Sequence, residues 1–179
     1  MDRLFVAIDI PDEIKTKFVG IMEGLKKIGA KVVPTTNIHL TLKFIGETER
    51  TKEIVEALKD VRSGSFDLVV SDVGIFGSIE YPRVFWVGVE KSSSLRELHN
   101  LVESRLNELG IPKDEREFSP HITLARFKTR VNSSKLQSIL RENNRTFGSF
   151  RVNSFVLYRS ILSHPNPIYQ RILEFHLNP

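Results

Sequence analysis

The chain has 179 residues, of which 40% are hydrophobic and 27% are charged, as in an ordinary folded domain rather than a disordered segment. A length of this order buries a full core, so we expect one domain over residues 1–179. The chain has no cysteine, which excludes disulfides, thiolate metal ligands and a cysteine nucleophile. Its net charge of +4 favours, weakly, a polyanionic ligand such as RNA.

No apolar run approaches the ~18 residues that would cross a membrane. The first ten residues are too acidic, and their apolar run is too short, for a signal peptide. We therefore expect a cytoplasmic protein that has no membrane partner.

Hydrophobic periodicity and turn residues predict alternating strands and helices along the chain. Each half contains a helix, a histidine-bearing strand and a further helix, which indicates an α+β fold built from two related halves. A loop is predicted at 74–77, between two glycines. The predicted strands cover 4–10, 38–45, 66–73, 83–89, 122–127, 150–162 (one or two strands) and 169–177, and the predicted helices cover 12–28, 51–61, 92–109 and 133–142.

Two of the predicted strands carry the same four-residue pattern. The segments His39-Leu40-Thr41-Leu42 and His121-Ile122-Thr123-Leu124 both have histidine, an apolar residue, threonine and a second apolar residue. Because side chains alternate between the faces of a strand, each segment presents one imidazole and one hydroxyl on the same face. If the two strands are neighbours, all four polar groups converge.

This set of groups suits the cleavage of a phosphodiester. A histidine titrates near pH ~6.5, so one neutral imidazole can accept a proton from water while an imidazolium protonates the leaving alkoxide. The threonine hydroxyls can donate to the non-bridging phosphate oxygens, where charge accumulates in the transition state. We therefore interpret His39, Thr41, His121 and Thr123 as one site.

Two other interpretations of the histidines compete with this one. A single such motif would more often be a structural histidine in a sheet, and only the matched second copy reverses that preference. A zinc site needs three or four His, Cys, Asp or Glu ligands, and neither motif supplies an acid beside its histidine. We expect no metal and no cofactor.

Longer segments resemble one protein family over nearly the whole chain. The doubled motif resembles that of the 2H phosphoesterases. The longer matches resemble their bacterial and archaeal branch, called 2′-5′ RNA ligase or RNA 2′,3′-cyclic phosphodiesterase. These matches are Arg3-Leu4-Phe5-Val6-Ala7-Ile8, His39-Leu40-Thr41-Leu42-Lys43-Phe44-Ile45-Gly46, Pro82-Arg83-Val84-Phe85-Trp86-Val87-Gly88-Val89 and Phe118-Ser119-Pro120-His121-Ile122-Thr123-Leu124-Ala125-Arg126.

The resemblance implies a bilobal, pseudo-symmetric α+β fold, with two antiparallel sheets flanking a central cleft and helices packed outside. It implies hydrolysis of RNA 2′,3′-cyclic phosphate to a 2′-phosphate, with reversible ATP-independent joining of RNA ends through a 2′-5′ bond. It also implies that His39 is the proton donor and His121 the proton acceptor. The family often has a glycine-rich loop before its final tyrosine, and this chain departs from that pattern at 163–167.

The resemblance also places Arg126 near the phosphate, together with Thr41 and Thr123. Strict alternation puts Arg126 on the opposite face from His121, so either it reaches round the strand end or a bulge intervenes. Lys43 shares the parity of His39 and is a candidate for the mouth of the cleft, although a solvated lysine is the commoner outcome.

Exposed aromatic side chains are a further expectation, because proteins hold unpaired RNA bases by stacking on aromatic rings. Phe76, in the predicted glycine-bounded loop, and Phe118, just before the second motif, are the preferred candidates, and Trp86 is expected in the core. The wider set of candidates is Phe44, Phe76, Tyr81, Trp86, Phe118 and Tyr169.

Three functions remain open on the sequence. The first is the enzyme that acts on RNA ends. The second is a non-catalytic module that binds a nucleotide or an RNA end, and the presence of both histidines and both threonines favours the enzyme over it. The third is the same chemistry on a small cyclic-phosphate nucleotide, which the basic charge disfavours weakly. We expect a monomer without an obligate protein partner.

Overall fold

The computed structural model describes residues 1–179 as nine strands and five α-helices. Short 3₁₀ turns at Thr16–Phe18 and Thr35–Asn37 precede α2 and β3. The elements are β1 Asp2–Asp9, α1 Asp12–Lys15, α2 Val19–Lys27, β2 Lys31–Val32, β3 His39–Thr48, α3 Thr51–Lys59, β4 Phe66–Gly77, β5 Pro82–Val89, α4 Ser93–Glu108, β6 Ile122–Arg126, α5 Ser133–Glu142, β7 Thr146–Val152, β8 Ser154–Ile161 and β9 Ile168–His176.

The strands form one antiparallel sheet in the order β7-β4-β5-β6-β3-β1-β8-β9, with β2 added beside β6. The sheet has two four-stranded halves, and the histidine-bearing β3 and β6 are the strands at which the halves meet. The expected pseudo-symmetric α+β fold is confirmed. The two expected sheets are joined into one, because Leu40 of β3 pairs with Ile122 of β6.

The helices connect the two halves of the sheet. The segment α1–α2 follows β1 but packs on β6, β7 and α5, whereas α4 follows β5 and packs on β3 and α3. Buried side chains from both halves form a single hydrophobic cluster, which includes Leu40, Leu124 and Phe85. Each half therefore depends on a helix that follows a strand of the other half. None of the helices is long and apolar enough to cross a membrane.

The predicted loop at 74–77 is wrong, because β4 continues to Gly77. Gly74 faces Trp86 of β5, and a Cβ atom at this position would lie 2.2 Å from the indole ring. The glycine thus makes room for a large side chain within a strand. Only Gly77, with φ of +92° and Tyr81 O 2.5 Å from where its Cβ would be, acts as a turn glycine.

Candidate active site

The pairing of β3 with β6 brings the two histidine motifs together. Continuing the Leu40–Ile122 antiparallel register by one residue on each side places His39 opposite Thr123 and Thr41 opposite His121. All four side chains line one cleft of about 390 Å³. Their apolar neighbours point the other way and are at most 2% exposed: Leu40, Leu42, Ile122 and Leu124.

Each imidazole is held by a carbonyl two residues before it. His39 Nδ1 lies 2.7 Å from Asn37 O, and His121 Nδ1 lies 2.8 Å from Ser119 O. A carbonyl only accepts, so each Nδ1 carries a hydrogen and donates it. In the neutral rings Nε2 is therefore the unprotonated atom, and the Thr41 hydroxyl, 2.9 Å from His39 Nε2, donates to it. Both histidines thus have the same tautomer.

An aromatic ring lies edge-on to each imidazole. Phe76 contacts His121 with ring centroids 4.8 Å apart at 86°, and Tyr169 contacts His39 with centroids 5.4 Å apart at 82°. Phe5 packs against both His39 and Tyr169, with ring centroids 5.0 Å and 4.9 Å away. These contacts restrict rotation of the rings and leave Phe76 and Tyr169 as part of the cleft wall.

The surroundings of His39 shift its pKa. Burial lowers the pKa of His39 below its ordinary value, against the hydrogen bond to Asn37 O and the negative charge of Asp9, which raise it. The positive charges of His121 and Arg126 lower the His39 pKa further. These surroundings therefore bias His39 towards the neutral form.

A β-bulge lies three residues after each histidine. Along the β1–β3 pair the register skips Leu42, and along the β5–β6 pair it skips Leu124. An extra residue in one strand reverses the alternation beyond it. Arg126 consequently returns to the face of His121, and Phe44 occupies the matching position in β3, so that both line the cleft.

The bulge in β3 also turns Lys43 away from the cleft, so its expected position at the cleft mouth is wrong. Its side chain is 2% exposed, and its Nζ lies 2.7 Å from Glu103 Oε1 and 2.9 Å from Asp114 Oδ1. Burial alone would lower the pKa of Lys43, but the hydrogen bonds and charges of Glu103 and Asp114 outweigh burial and raise it. Lys43 belongs to the packing between β3 and α4, behind the cleft.

Of the two preferred stacking candidates, Phe76 lies in the cleft and Phe118 does not. The Phe118 ring stacks on His99 with centroids 3.9 Å apart and planes within 2°. His99 is buried in α4 and its Nδ1 donates to Leu42 O at 2.9 Å. Phe118 is thus a packing residue between α4 and the segment before His121, and Phe44 and Tyr169 line the cleft instead.

The rim of the cleft is basic. Arg126, Lys31 and Lys128 line it, and none of its lining residues is an aspartate or glutamate. The segment 163–167, which departs from the glycine-rich family pattern, forms part of this rim. Lys31 Nζ donates to Pro165 O at 2.7 Å, and Asn37 Nδ2 donates to Pro167 O at 2.9 Å. Sequence reasoning did not identify Lys31, Asn37 or Lys128, because no local pattern distinguishes them.

The protein has no cluster of side chains suited to binding a metal ion. Nowhere do three or more His, Cys, Asp or Glu side chains lie close enough together to hold an ion. His39 and His121 alone provide two donors, fewer than the three that catalytic zinc sites use. The groups that converge in the cleft are instead those of acid–base chemistry on an anion.

Known proteins share both the sequence and the fold. The family model of the 2′-5′ RNA ligase superfamily matches residues 11–162. The RNA 2′,3′-cyclic phosphodiesterase of Methanocaldococcus jannaschii is 36% identical over 176 residues, covering 97% of this chain and 99% of its own. The enzyme of the same name from Thermotoga maritima is 36% identical over 178 residues, covering 96% and 94%.

Among solved structures, E. coli LigT complexed with 3′-AMP superposes with a TM-score of 0.78 and 28% identity, covering 99% of both chains. An α+β sheet with a histidine and a threonine from each of two central strands in a shared cleft defines a 2H phosphoesterase. The chain belongs to the 2′-5′ RNA ligase superfamily within this class.

Proposed function

We propose that this protein hydrolyses RNA ends that carry a 2′,3′-cyclic phosphate, and that the product is a 2′-phosphate. The observation that carries the proposal is the matched pair of imidazoles, each with Nδ1–H held by a carbonyl, in one cleft that has a basic rim. Relatives named RNA 2′,3′-cyclic phosphodiesterase, at 36% identity over nearly the whole chain, support it.

In the proposed reaction, His121 and His39 act at opposite sides of phosphorus. Nε2 of neutral His121 takes a proton from water as the water oxygen bonds to phosphorus. Nε2–H of protonated His39 gives its proton to the 3′-oxygen as the bond from phosphorus to that oxygen breaks. The diagonal placement of the histidines across the β3–β6 pair supports an attacking and a leaving oxygen on opposite sides.

Three further side chains are proposed to bind the phosphate. Arg126 supplies a fixed positive charge, and the hydroxyls of Thr41 and Thr123 donate to the non-bridging oxygens. The Thr41 hydroxyl donates to Nε2 of neutral His39 in the structure. Protonation of His39 makes that nitrogen a donor and releases the Thr41 hydroxyl, so binding of an anion and protonation of His39 favour each other.

The same groups support the joining of two RNA ends. If a 5′-hydroxyl replaces water, His121 accepts its proton and the product is a 2′-5′ diester with a free 3′-hydroxyl. Joining breaks the bond from phosphorus to the 3′-oxygen as it forms the bond to the 5′-oxygen, so the cyclic phosphate needs no activation by ATP. We propose that this is a reversible side activity of the hydrolase, carried out by a monomer, because one chain supplies every group in the cleft.

Two other functions compete with hydrolysis of RNA ends. A small cyclic-phosphate nucleotide would fit the same chemistry, but the basic rim of Lys31, Arg126 and Lys128 favours a longer polyanion. A module that only binds nucleotides would not need both imidazoles held in the same tautomer. The RNA-end hydrolase accounts for the basic rim and for the paired histidines.

The pH dependence should distinguish the free enzyme from the substrate complex. A bound diester anion favours protonation of both histidines, and His39 begins from a pKa below its ordinary value. We expect kcat and kcat/KM each to show a bell-shaped dependence on pH, with the two apparent pKa values belonging to the pair of histidines. The kcat profile should lie at higher pH than the kcat/KM profile. Identical profiles, or displacement to lower pH, would contradict the proposed contact between the phosphate and the histidines.

An oligoribonucleotide that ends in a 2′,3′-cyclic phosphate tests the proposed function directly. We expect its conversion to a 2′-phosphate at the same rate with and without EDTA, because the cleft has no set of metal ligands. Resistance of the product to a 3′-phosphate-specific phosphatase identifies the isomer. A 3′-phosphate product, or activity that EDTA abolishes and zinc restores, would be inconsistent with this mechanism.

A further inference from the structure

A second chamber adjoins the cleft and shares part of its wall. This chamber, of about 440 Å³, shares four lining residues with the cleft: Phe44, Arg126, Pro167 and Tyr169. Its remaining wall comes from β1, from Gly46 of β3, and from the end of β8 with the residues that follow it, including Arg3 and Leu162. The cleft and the second chamber therefore lie side by side along these four residues.

The second chamber has two arginines and no acidic residue in its lining. Arg3 is exposed, and neither Arg3 nor Arg126 takes part in an ion pair within the protein. Tyr169 lines both the cleft and the second chamber, and burial raises its pKa against the positive charges of Arg126 and Arg3, which lower it. Two unpaired guanidinium groups in the lining of one chamber form a site for an anion such as a phosphodiester.

Apolar surface also remains open at the second chamber. Phe44 is 67% exposed and Leu162 is 81% exposed, although most large hydrophobic side chains in this protein are buried. Proteins commonly hold the unpaired bases of a nucleic acid strand on an exposed aromatic ring that has positive charges beside it. The surface therefore matches the two parts of a nucleotide, its base and its phosphate.

We propose that the second chamber binds the nucleotide that precedes the terminal one in an RNA chain. The phosphodiester that links the two nucleotides contacts Arg3, with Arg126 between it and the cyclic phosphate, and the base of the preceding nucleotide packs on Phe44. This inference rests on the proposed function, because the cyclic phosphate must occupy the cleft between the histidines. It adds a substrate class: chains of at least two nucleotides rather than cyclic mononucleotides.

Two matched substrates test the second chamber: adenosine 2′,3′-cyclic phosphate and the dinucleotide ApA that ends in a 2′,3′-cyclic phosphate. We expect kcat/KM for the dinucleotide to be at least about tenfold higher, since a hydrogen bond between charged groups contributes that much. Arg3→Ala should lower the dinucleotide value about tenfold more than the mononucleotide value. Phe44→Ala should also reduce the advantage of the dinucleotide.

Arg62→Ala is the matched control, because Arg62 is an exposed arginine that lies on the surface between α3 and α4, away from the cleft. It removes the same charge and should leave the ratio of the two kcat/KM values as in the wild type. Salt provides an independent measurement. The plot of log kcat/KM against log salt should be steeper for the dinucleotide by about 0.7, and Arg3→Ala should remove that difference.

The outcomes separate this inference from the function on which it rests. If the wild type hydrolyses both substrates with equal kcat/KM, the second chamber does not bind a nucleotide, although the proposed function stands. If Lys128→Ala removes the dinucleotide advantage and Arg3→Ala does not, the RNA leaves the cleft past Lys128 and not through the second chamber, and the inference is wrong. If the wild type hydrolyses neither substrate, the proposed function fails first and the inference with it.

Discussion

Replacing either His39 or His121 with alanine should lower the rate of cyclic phosphate hydrolysis by about 10²–10⁴-fold, the usual contribution of one general acid or base. Each variant loses a proton-transfer atom that a water molecule in the cleft cannot replace in position. The two losses should combine to less than their product, because the two histidines act in one step. Single-turnover rates with an oligoribonucleotide that ends in a cyclic phosphate provide the measurement.

Two comparisons make this prediction specific to the cleft. His176→Ala removes an exposed histidine near the end of β9 and should leave the rate unchanged. Thr41→Ala and Thr123→Ala should cost less than the histidine variants, because water can partly replace a neutral hydroxyl donor. A histidine variant that keeps more than a tenth of the wild-type rate would show that its imidazole does not transfer a proton.

Lys43→Met should lower the free energy of unfolding by more than a typical substitution does. It would leave Glu103, whose side chain is 7% exposed, as a buried carboxylate without its closest positive charge. Breaking a buried ion pair in this way costs about 3–5 kcal/mol of unfolding free energy, more than a typical substitution. Urea unfolding followed by circular dichroism measures the difference.

The double substitution Lys43→Met with Glu103→Leu tests the cause. Replacing both members of a buried pair with apolar residues of similar size is often neutral, so most of the loss should be recovered. Lys59→Met is the matched control, because its partner Glu56 is 72% exposed. Exposed pairs contribute little, so that variant should change stability by less than about 1 kcal/mol. A Lys43 variant as stable as the Lys59 variant would refute the argument.

The sequence predicts the strands that carry the site because their patterns are local. The alternation of polar and apolar residues in His39–Leu42 and in His121–Leu124 predicts which side chains share a face. The pairing of β3 with β6 is not local, since it depends on a sheet assembled from both halves of the chain. The duplicated motif was the signal that made the pairing an expectation.

The bulges limit what alternation predicts. In β6 the consecutive apolar residues Leu124 and Ala125 are a visible break in alternation, and they are the signal that Arg126 returns to the cleft face. In β3 the corresponding pair is Leu42 and Lys43, and a lysine after a leucine looks like normal alternation. Alternation therefore predicts the wrong face for Lys43, since the sequence alone does not show that Glu103 lies opposite it.

The aromatic residues illustrate a second limit. The prediction for Phe76 and Phe118 rests on their neighbours in the sequence, which are a glycine-bounded segment and the second motif. Whether an aromatic side chain is free depends on its neighbours in space, and Phe118 is covered by His99 from α4. Phe44 lies in the cleft because of a bulge in β3, and Tyr169 lies there because the segment before it is hydrogen-bonded to Lys31 and Asn37.

The central claim is that His39 and His121 transfer protons in opposite directions. A substrate in which sulfur replaces the leaving 3′-oxygen tests it most directly, because a thiolate leaves with little need for a proton. With this substrate the His39→Ala variant should recover most of the wild-type rate, and the His121→Ala variant should remain as impaired as on the oxygen substrate. Recovery of His121→Ala alone would reverse the two roles, and recovery of neither would contradict proton transfer by His39 to the leaving group.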